Sequence, residues 1–473
     1  MAGDGRPIAV LQTQRMGDLI LTYPLLLWLA RVWRGHPITV VAEPDFALPL
    51  APISPPGVGY WPLQRGGELR DRDHALVVNL SIRPEAARLA GELRAERRIG
   101  PVTDAAGVTR IAGDWQLYRA GIVHNNRHNR FHWAQLNALD AVPLSVIAAT
   151  NWPEPRRICA DRARVGLFLG ASQPEKRPTE AFFSALAREL IRRGLTPVLL
   201  GGPGDVELGA AVARGIRAPV ANLCGRLGLA ALSVLGQEMA LLITPDTGPM
   251  HLAAWTGWRV LNLSVGPVNA WETGPYQPGH FVLRSRISCR GCWECTRPEV
   301  LCRQMLDPAQ VAYVAVRLVR GEERRLAGAM LPGCELLRTA RDESGLYRLD
   351  PLAPTGTRGA RDALGAFWQD AFGWLLGGLA DAPARVEAGR LVAEHPGVAG
   401  VLRRGLAGLG TALGRGIREG YAPDAGFLWE FPPSVRPLAG FLERVLQNED
   451  GSRAAWLRSL SLLEQVASLF ESF

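Results

Sequence analysis

The stretch Leu241-Leu242-Ile243-Thr244-Pro245-Asp246-Thr247-Gly248-Pro249-Met250-His251-Leu252-Ala253-Ala254 decides how this chain folds. An apolar run stops at Pro-Asp-Thr-Gly, and small, helix-compatible residues follow at once. The pattern predicts a buried strand, a tight loop and a helix N-terminus. Free backbone N–H groups and the positive end of the helix dipole then point out of the loop, where an anion such as a diphosphate is favoured. Thr247 and Gly248 supply such N–H groups, and Gly248, lacking a side chain, lets a ligand come close to the backbone. His251, one turn into the helix, is placed to face the same ligand. The structural alternative is an ordinary strand-to-helix connection with Asp246 as its N-cap.

The same alternation runs outward in both directions. Val165–Leu169 predicts a strand, Gly170–Pro178 its loop, and Thr179-Glu180 the start of a helix reaching about Arg193. Pro197–Leu200 is a strand followed by the loop Gly201–Asp205; a strand-like piece ends near Asn222, a helix covers about 229–239, and Arg259–Ser264 is the next strand. Upstream, Ile8–Leu11, Ile38–Ala42, Ala75–Leu80 and Arg97–Gly100 read as strands. A helix after the first of them runs to about Trp33, with Pro24 tolerated only in a first turn. The Pro-rich Asn151–Pro155 is a linker. The chain therefore predicts two doubly wound α/β halves in tandem, each an open parallel sheet, with a cleft between them. Arg15, Asp18 and Arg83 all lie beyond carboxyl ends of strands, where ligands bind in such sheets.

From about residue 331 strand patterns vanish, and amphipathic helices are expected over 358–380, 386–418 and 436–472, with Gly420–Pro433 a loop between the last two. The resulting division is residues 1–155 and 156–325 as two Rossmann-like domains and 326–473 as a mostly helical extension.

Composition sets the broad class. The 473 residues, 47% hydrophobic and 21% charged, suit a globular protein of two or three domains. The net charge of +8 is spread along the chain without a basic tail, which argues against nucleic acid. A mildly basic surface suits an anionic sugar, a nucleotide or an acidic membrane face. No segment offers the ~20 apolar residues that spanning a bilayer requires, and a cytoplasmic protein is expected, with peripheral contact to the inner membrane open. Lys176 is the only lysine among 53 Lys and Arg residues.

Three of these loops carry a resemblance. Arg15-Met16-Gly17-Asp18-Leu19-Ile20-Leu21-Thr22-Tyr23-Pro24, Gly170–Arg177 with Lys176, and Asp246-Thr247-Gly248-Pro249-Met250-His251 resemble, in order, signatures of the lipopolysaccharide heptosyltransferases, glycosyltransferase family 9. Gly274-Pro275-Tyr276 and Asp307–Val311 also stand in that family's usual order, so the likeness covers about residues 1–320. It implies a GT-B fold, two Rossmann-like domains closing on a nucleotide-sugar. It also implies inverting transfer without a catalytic metal, of a heptose-like sugar from ADP-heptose or a related donor. The acceptor would be a bacterial lipopolysaccharide core, another glycan, or a protein; an inactive nucleotide-sugar-binding scaffold is a further alternative. By the same resemblance Asp18 is the general base, Lys176, Thr247 and Gly248 hold the donor diphosphate, and Asp246 and His251 fall in the donor signature. Asp205 or Glu207 would meet the ribose, and Arg15 and Arg83 are acceptor-side candidates.

The chemistry is coherent by itself. Inverting transfer needs a carboxylate to take the acceptor's proton and cationic or N–H groups where charge grows on the leaving diphosphate. Asp18 could instead be a helix cap, and Lys176 a solvated loop charge. Cys289, Cys292, Cys295 and Cys302 form a cluster with C-x2-C-x2-C-x6-C spacing. Four thiolates suit structural zinc, and the spacing resembles part of an iron–sulfur pattern. In one autotransporter-modifying branch of the family, related cysteines hold iron. Four reduced thiols in a loop are the alternative. Cys159, Cys224 and Cys334 read as isolated small apolar residues.

Overall fold

The computed structural model describes residues 5–159, 163–353, 358–421, 423–424 and 426–473. Two α/β units follow one another. The first is built on β1 (Ile8–Leu11), β2 (Ile38–Ala42), β3 (Val58–Pro62), β4 (His74–Asn79), β5 (Ala95–Thr103) and β6 (Thr109–Ala112), in the order β3-β2-β1-β4-β5-β6. β1 to β5 are parallel and β6 turns back antiparallel on β5. β1 and β4 are buried along their whole length, which is why they read as unbroken apolar runs rather than alternating ones.

The second unit holds β7 (Arg164–Phe168), β8 (Thr196–Leu200), β9 (Ala221–Asn222), β10 (Leu241–Pro245), β11 (Val260–Ser264), β12 (Phe281–Ser285), β13 (Cys334–Arg341) and β14 (Tyr347–Pro351), in the order β14-β13-β12-β11-β10-β7-β8-β9. β7 to β12 are parallel; β13 and β14 are antiparallel additions. In both units β1 and β7 sit inside the sheet, so the loops after β1, β7 and β10 open at interior carboxyl ends, as doubly wound sheets require of a binding cleft.

The structure corrects the reading in three places. Strands continue past residue 331: β13 and β14 extend the second sheet to its edge. They were illegible because β13 carries Glu335, Arg338 and Arg341 among its apolar residues; Glu335 is neutralised by Arg284 of β12 at 2.7 Å. The segment after β1 is two helices, Met16–Ile20 and Tyr23–Val32, and Pro24 falls in the first turn of the second, the one place it is harmless. Cys159 is exposed, whereas Cys224 and Cys334 are buried.

The C-terminal helices Ala360–Gly377, Ala382–Glu394, Pro396–Glu419, Arg436–Asn448 and Arg453–Ser468 do not stand apart. In the loop expected over 420–433, Phe427–Glu430 forms a short 3-10 turn, while residues 422 and 425 lie outside the described residues. Phe367, Trp368 and Phe372 share one apolar core with Trp115, Tyr118 and Phe131 of the first unit. The Tyr118 and Phe372 rings lie 4.5 Å apart, and Trp368 Nε1 donates to the Ser434 carbonyl at 2.8 Å. Among the described residues no helix is long and apolar enough to cross a membrane.

Candidate active site

The predicted loops meet where the two units touch. Helix Met16–Ile20 packs against helix Gly248–Trp255. The approach is close: a Cβ on Gly17 would lie 3.4 Å from His251 Cδ2 and 3.6 Å from Gly248 Cα. A Cβ at position 17 would thus be in van der Waals contact with the other unit.

Asp18 sits half-buried on the first of these helices. Burial raises its pKa, while the Arg119 guanidinium and the Arg15 backbone N–H pull the other way. Arg119 donates to the Leu80 carbonyl at 3.3 Å and lies 4.8 Å over the Trp133 ring. Burial brings Arg119 down to about 10, and Asp18 is the charge that holds it up. Each therefore favours the charged form of the other.

Across the interface, the strand-loop-helix of Leu241–Trp255 forms as its pattern predicts. Thr247 occupies the cap position, but its side chain makes no capping bond. Asp246 does not cap the helix either. Its Oδ2 accepts the Thr273 hydroxyl at 2.6 Å, and its Oδ1 lies 3.9 Å from His251 Nε2. Burial lifts Asp246 to about 6; Thr273 and Lys176 oppose this, and the nearby Asp18 adds to it. His251 is buried and pushed down to about 4, so it is neutral at neutral pH, with Nδ1 unpaired.

Lys176 ends the short turn Pro174–Lys176, half-buried. Its loop rests on Gly266, where a Cβ would come within 2.3 Å of the Glu175 carbonyl oxygen. Gly266 N–H in turn donates to Cys302 Sγ at 3.1 Å, so the cysteine loop buttresses the lysine loop.

The remaining candidates stand further out. Asp205 folds onto its own loop, accepting from Gly202 N–H at 2.8 Å with Arg177 at 3.6 Å. Glu207 is exposed on the helix Val206–Ile216. Arg15 is exposed at the cap of helix Met16–Ile20, and Arg83 is ion-paired with Glu43. Cys289, Cys292 and Cys295 share one loop and Cys302 follows on the short helix Leu301–Gln304; the thiols of Cys292 and Cys302 are raised by burial and by their neighbours. Among the described residues, however, no three metal-ligating side chains converge to hold an ion. The metal expectation therefore finds no closed donor set in this structure.

Several residues of the site escaped the sequence reading. Glu272 is 2% exposed and accepts from Asn126 and Asn129 of the first unit at 2.7 and 2.8 Å. Asn269 donates back to the carbonyls of Asn126 and Asn129, both at 3.2 Å, and His132 Nε2 meets the Gly274 carbonyl at 2.9 Å. The available signal was the run His124–His132, whose amides Asn125, Asn126 and Asn129 are all buried. A polar cluster that dense has partners within the protein.

Two facing Rossmann-like α/β units make up the GT-B fold. Residues 118–301 match the model of Glycosyltransferase family 9 (heptosyltransferase). The glycosyl transferase family 9 protein of Veillonella parvula DSM 2008 aligns at 22% identity and TM-score 0.54, covering 67% of this chain and 98% of that one. The E. coli ADP-heptose lps heptosyltransferase II aligns at 19% identity and TM-score 0.51, covering 67% and 99%. No curated protein matches the chain. The chain is thus similar to family 9 glycosyltransferases over residues 118–301 and shares the fold of the two solved structures.

Proposed function

We propose that the chain transfers a heptose-like sugar, with inversion, from a nucleotide-diphosphate donor to a glycan acceptor, ADP-heptose being the first donor to test. The observation that carries this reading is the packing of the Asp18 helix on the Gly248–Trp255 helix, beside Asp246, whose carboxyl feels both Lys176 of its own unit and Asp18 of the first. In this mechanism the acceptor hydroxyl gives its proton to the Asp18 carboxylate while its oxygen attacks the anomeric carbon. The bond to the diphosphate breaks, and the leaving oxygen takes the electron pair. Lys176 and the N–H groups of Thr247 and Gly248 meet the growing negative charge, so no catalytic metal is required. Arg119 opposes the burial that raises the Asp18 pKa and so favours its ionised form.

The first unit takes the acceptor side, where Arg15 and Arg83 are candidates; the second takes the donor, with Asp205 and Glu207 candidates for the ribose. Asp205 lies against Gly170 of the lysine loop, which favours it over the exposed Glu207. The acceptor is a lipopolysaccharide core or another glycan, reached by peripheral contact with the inner membrane. A structural zinc or iron on Cys289, Cys292, Cys295 and Cys302 belongs to the same reading; the spacing of the cysteines and the mutual influence of their thiols support it, and the loop would have to close further to bring them onto one ion.

The test is incubation of the purified protein with ADP-heptose and with GDP- and UDP-sugars. Release of ADP, or a raised melting temperature, with ADP-heptose alone is expected. Indifference to every nucleotide-sugar would sink the proposal.

A further inference from the structure

A separate cavity of about 810 Å³ opens between the second sheet and the C-terminal helices. Nine arginines and six carboxylates line it. Most of the carboxylates are already engaged: Glu335 and Asp362 hold Arg284 and Arg290, and Glu387 holds Arg358 and Arg390. Asp370 neighbours Asp342 and Glu387, and burial with these like charges lifts it to about 6.

Arg361, Arg127 and Arg286 are left over: among the described residues none of them has an ion pair. Arg361 donates instead to the carbonyls of Arg127 and Ser288, at 3.0 and 3.1 Å, and to that of Arg290. Burial and the crowding of Arg290, Arg127 and Arg284 pull it down to about 9. Arg127 and Arg286 are exposed at the cavity. At the inner end, His128 lines a recess with Arg127, Arg130 and Arg361. It is 5% exposed, and its buried Nδ1 has no hydrogen-bond partner. A cationic cluster of this kind is stabilised by an anion that brings several acceptor oxygens, and guanidinium forks match phosphate geometry.

We propose that this cavity is a binding site for a phosphate-bearing ligand, held by Arg127, Arg286 and Arg361 and walled on one side by the C-terminal helices. Arg127 and Arg286 lie within residues 118–301, whereas Arg358, Arg361 and Arg390 lie beyond them, so the site is completed by the extension. It abuts the catalytic cleft: Trp271 forms part of its wall under Arg130, at 4.4 Å, and the same short helix carries Thr273 to Asp246. The inference does not depend on the transfer reaction.

The experiment is calorimetric titration with inorganic pyrophosphate at low salt, in the wild type and in Lys176→Ala, which disables the proposed donor diphosphate site. Binding is expected to survive in Lys176→Ala and to weaken roughly tenfold or more in Arg361→Gln, Arg127→Gln or Arg286→Gln, the loss of one charge-assisted contact. Arg127 and Arg286 are exposed, so those variants keep the fold even where Arg361→Gln does not, and melting temperatures check this. A glucose bisphosphate arm and a co-sedimentation arm with phosphatidic acid vesicles separate a soluble phosphate from a lipid headgroup. Binding lost in Lys176→Ala alone, binding unchanged in the arginine variants, or no binding to any of the three probes would overturn the proposal.

Discussion

Asn129, in the first unit, donates its amide hydrogen to Glu272 of the second across 2.8 Å of protein interior. Asn126 does the same to the other carboxylate oxygen. One buried carboxyl group thus pins the two halves together beside the cleft. Burial raises Glu272 to about 8, although both amides favour the ionised form.

That shift has a consequence for stability. The unfolded chain titrates Glu272 near the ordinary 4.5, so between this and about 8 the native state holds the proton more tightly. Stability contributed by this group therefore falls as pH rises through that window. Glu272→Gln, neutral throughout, is expected to flatten the dependence. Urea midpoints at about pH 5 and about pH 9 measure it, and an identical pH slope in variant and wild type would remove Glu272 as the cause.

Asp18→Asn keeps shape and removes the base. Donor affinity should stay near normal while turnover drops by roughly 10²–10⁴, the range for general-base loss. Asparagine caps a helix about as well as aspartate, so a purely structural Asp18 would leave turnover unchanged. Calorimetry with nucleotide-sugar and a transfer assay separate the two roles.

Lys176→Ala should weaken nucleotide-diphosphate binding by about 1.5–3 kcal/mol, the value of one charge-assisted contact. Lys176→Arg is expected to restore it only in part, because a planar fork does not replace a compact ammonium. Wild-type affinity in the alanine variant would place Lys176 outside the site.

Elemental analysis of protein purified without chelator should find zinc or iron. Less than about a tenth of an equivalent would be incompatible with the tight binding of a four-thiolate site. Because Cys302 meets Gly266, which in turn supports the lysine loop, Cys302→Ser should also lower nucleotide affinity; unchanged affinity would uncouple the two loops.

The docking of the extension is tested at Gly440. A Cβ there would fall 2.6 Å from the Gly121 carbonyl oxygen and 2.6 Å from Asn125 Nδ2, so two helices from distant parts of the chain approach backbone to backbone. Gly440→Ala should cost about 1–3 kcal/mol through forced displacement. Chemical denaturation measures this, and a stability equal to wild type would mean that the helices slide apart freely.

Much of this molecule is written locally. The runs Ile8–Leu11, Val165–Leu169 and Leu241–Ile243 announce strands buried on both faces, and Pro-Asp-Thr-Gly announces the turn into a helix, because each pattern completes within about a dozen residues of one element's own geometry. Two doubly wound halves and the three cleft loops followed from that. The partners inside the site did not. Arg119 opposite Asp18, Thr273 on Asp246 and the asparagines on Glu272 are joined by contacts spanning up to 146 positions, which leave no periodic trace. A buried Asn or Glu satisfied by protein has the same letters as one satisfied by water. Only the tertiary structure decides which, since burial raises the cost of an unpaired polar group until the fold supplies its partner. The same holds for β13 and β14, whose charges look like surface until Arg284 is found across the sheet from Glu335.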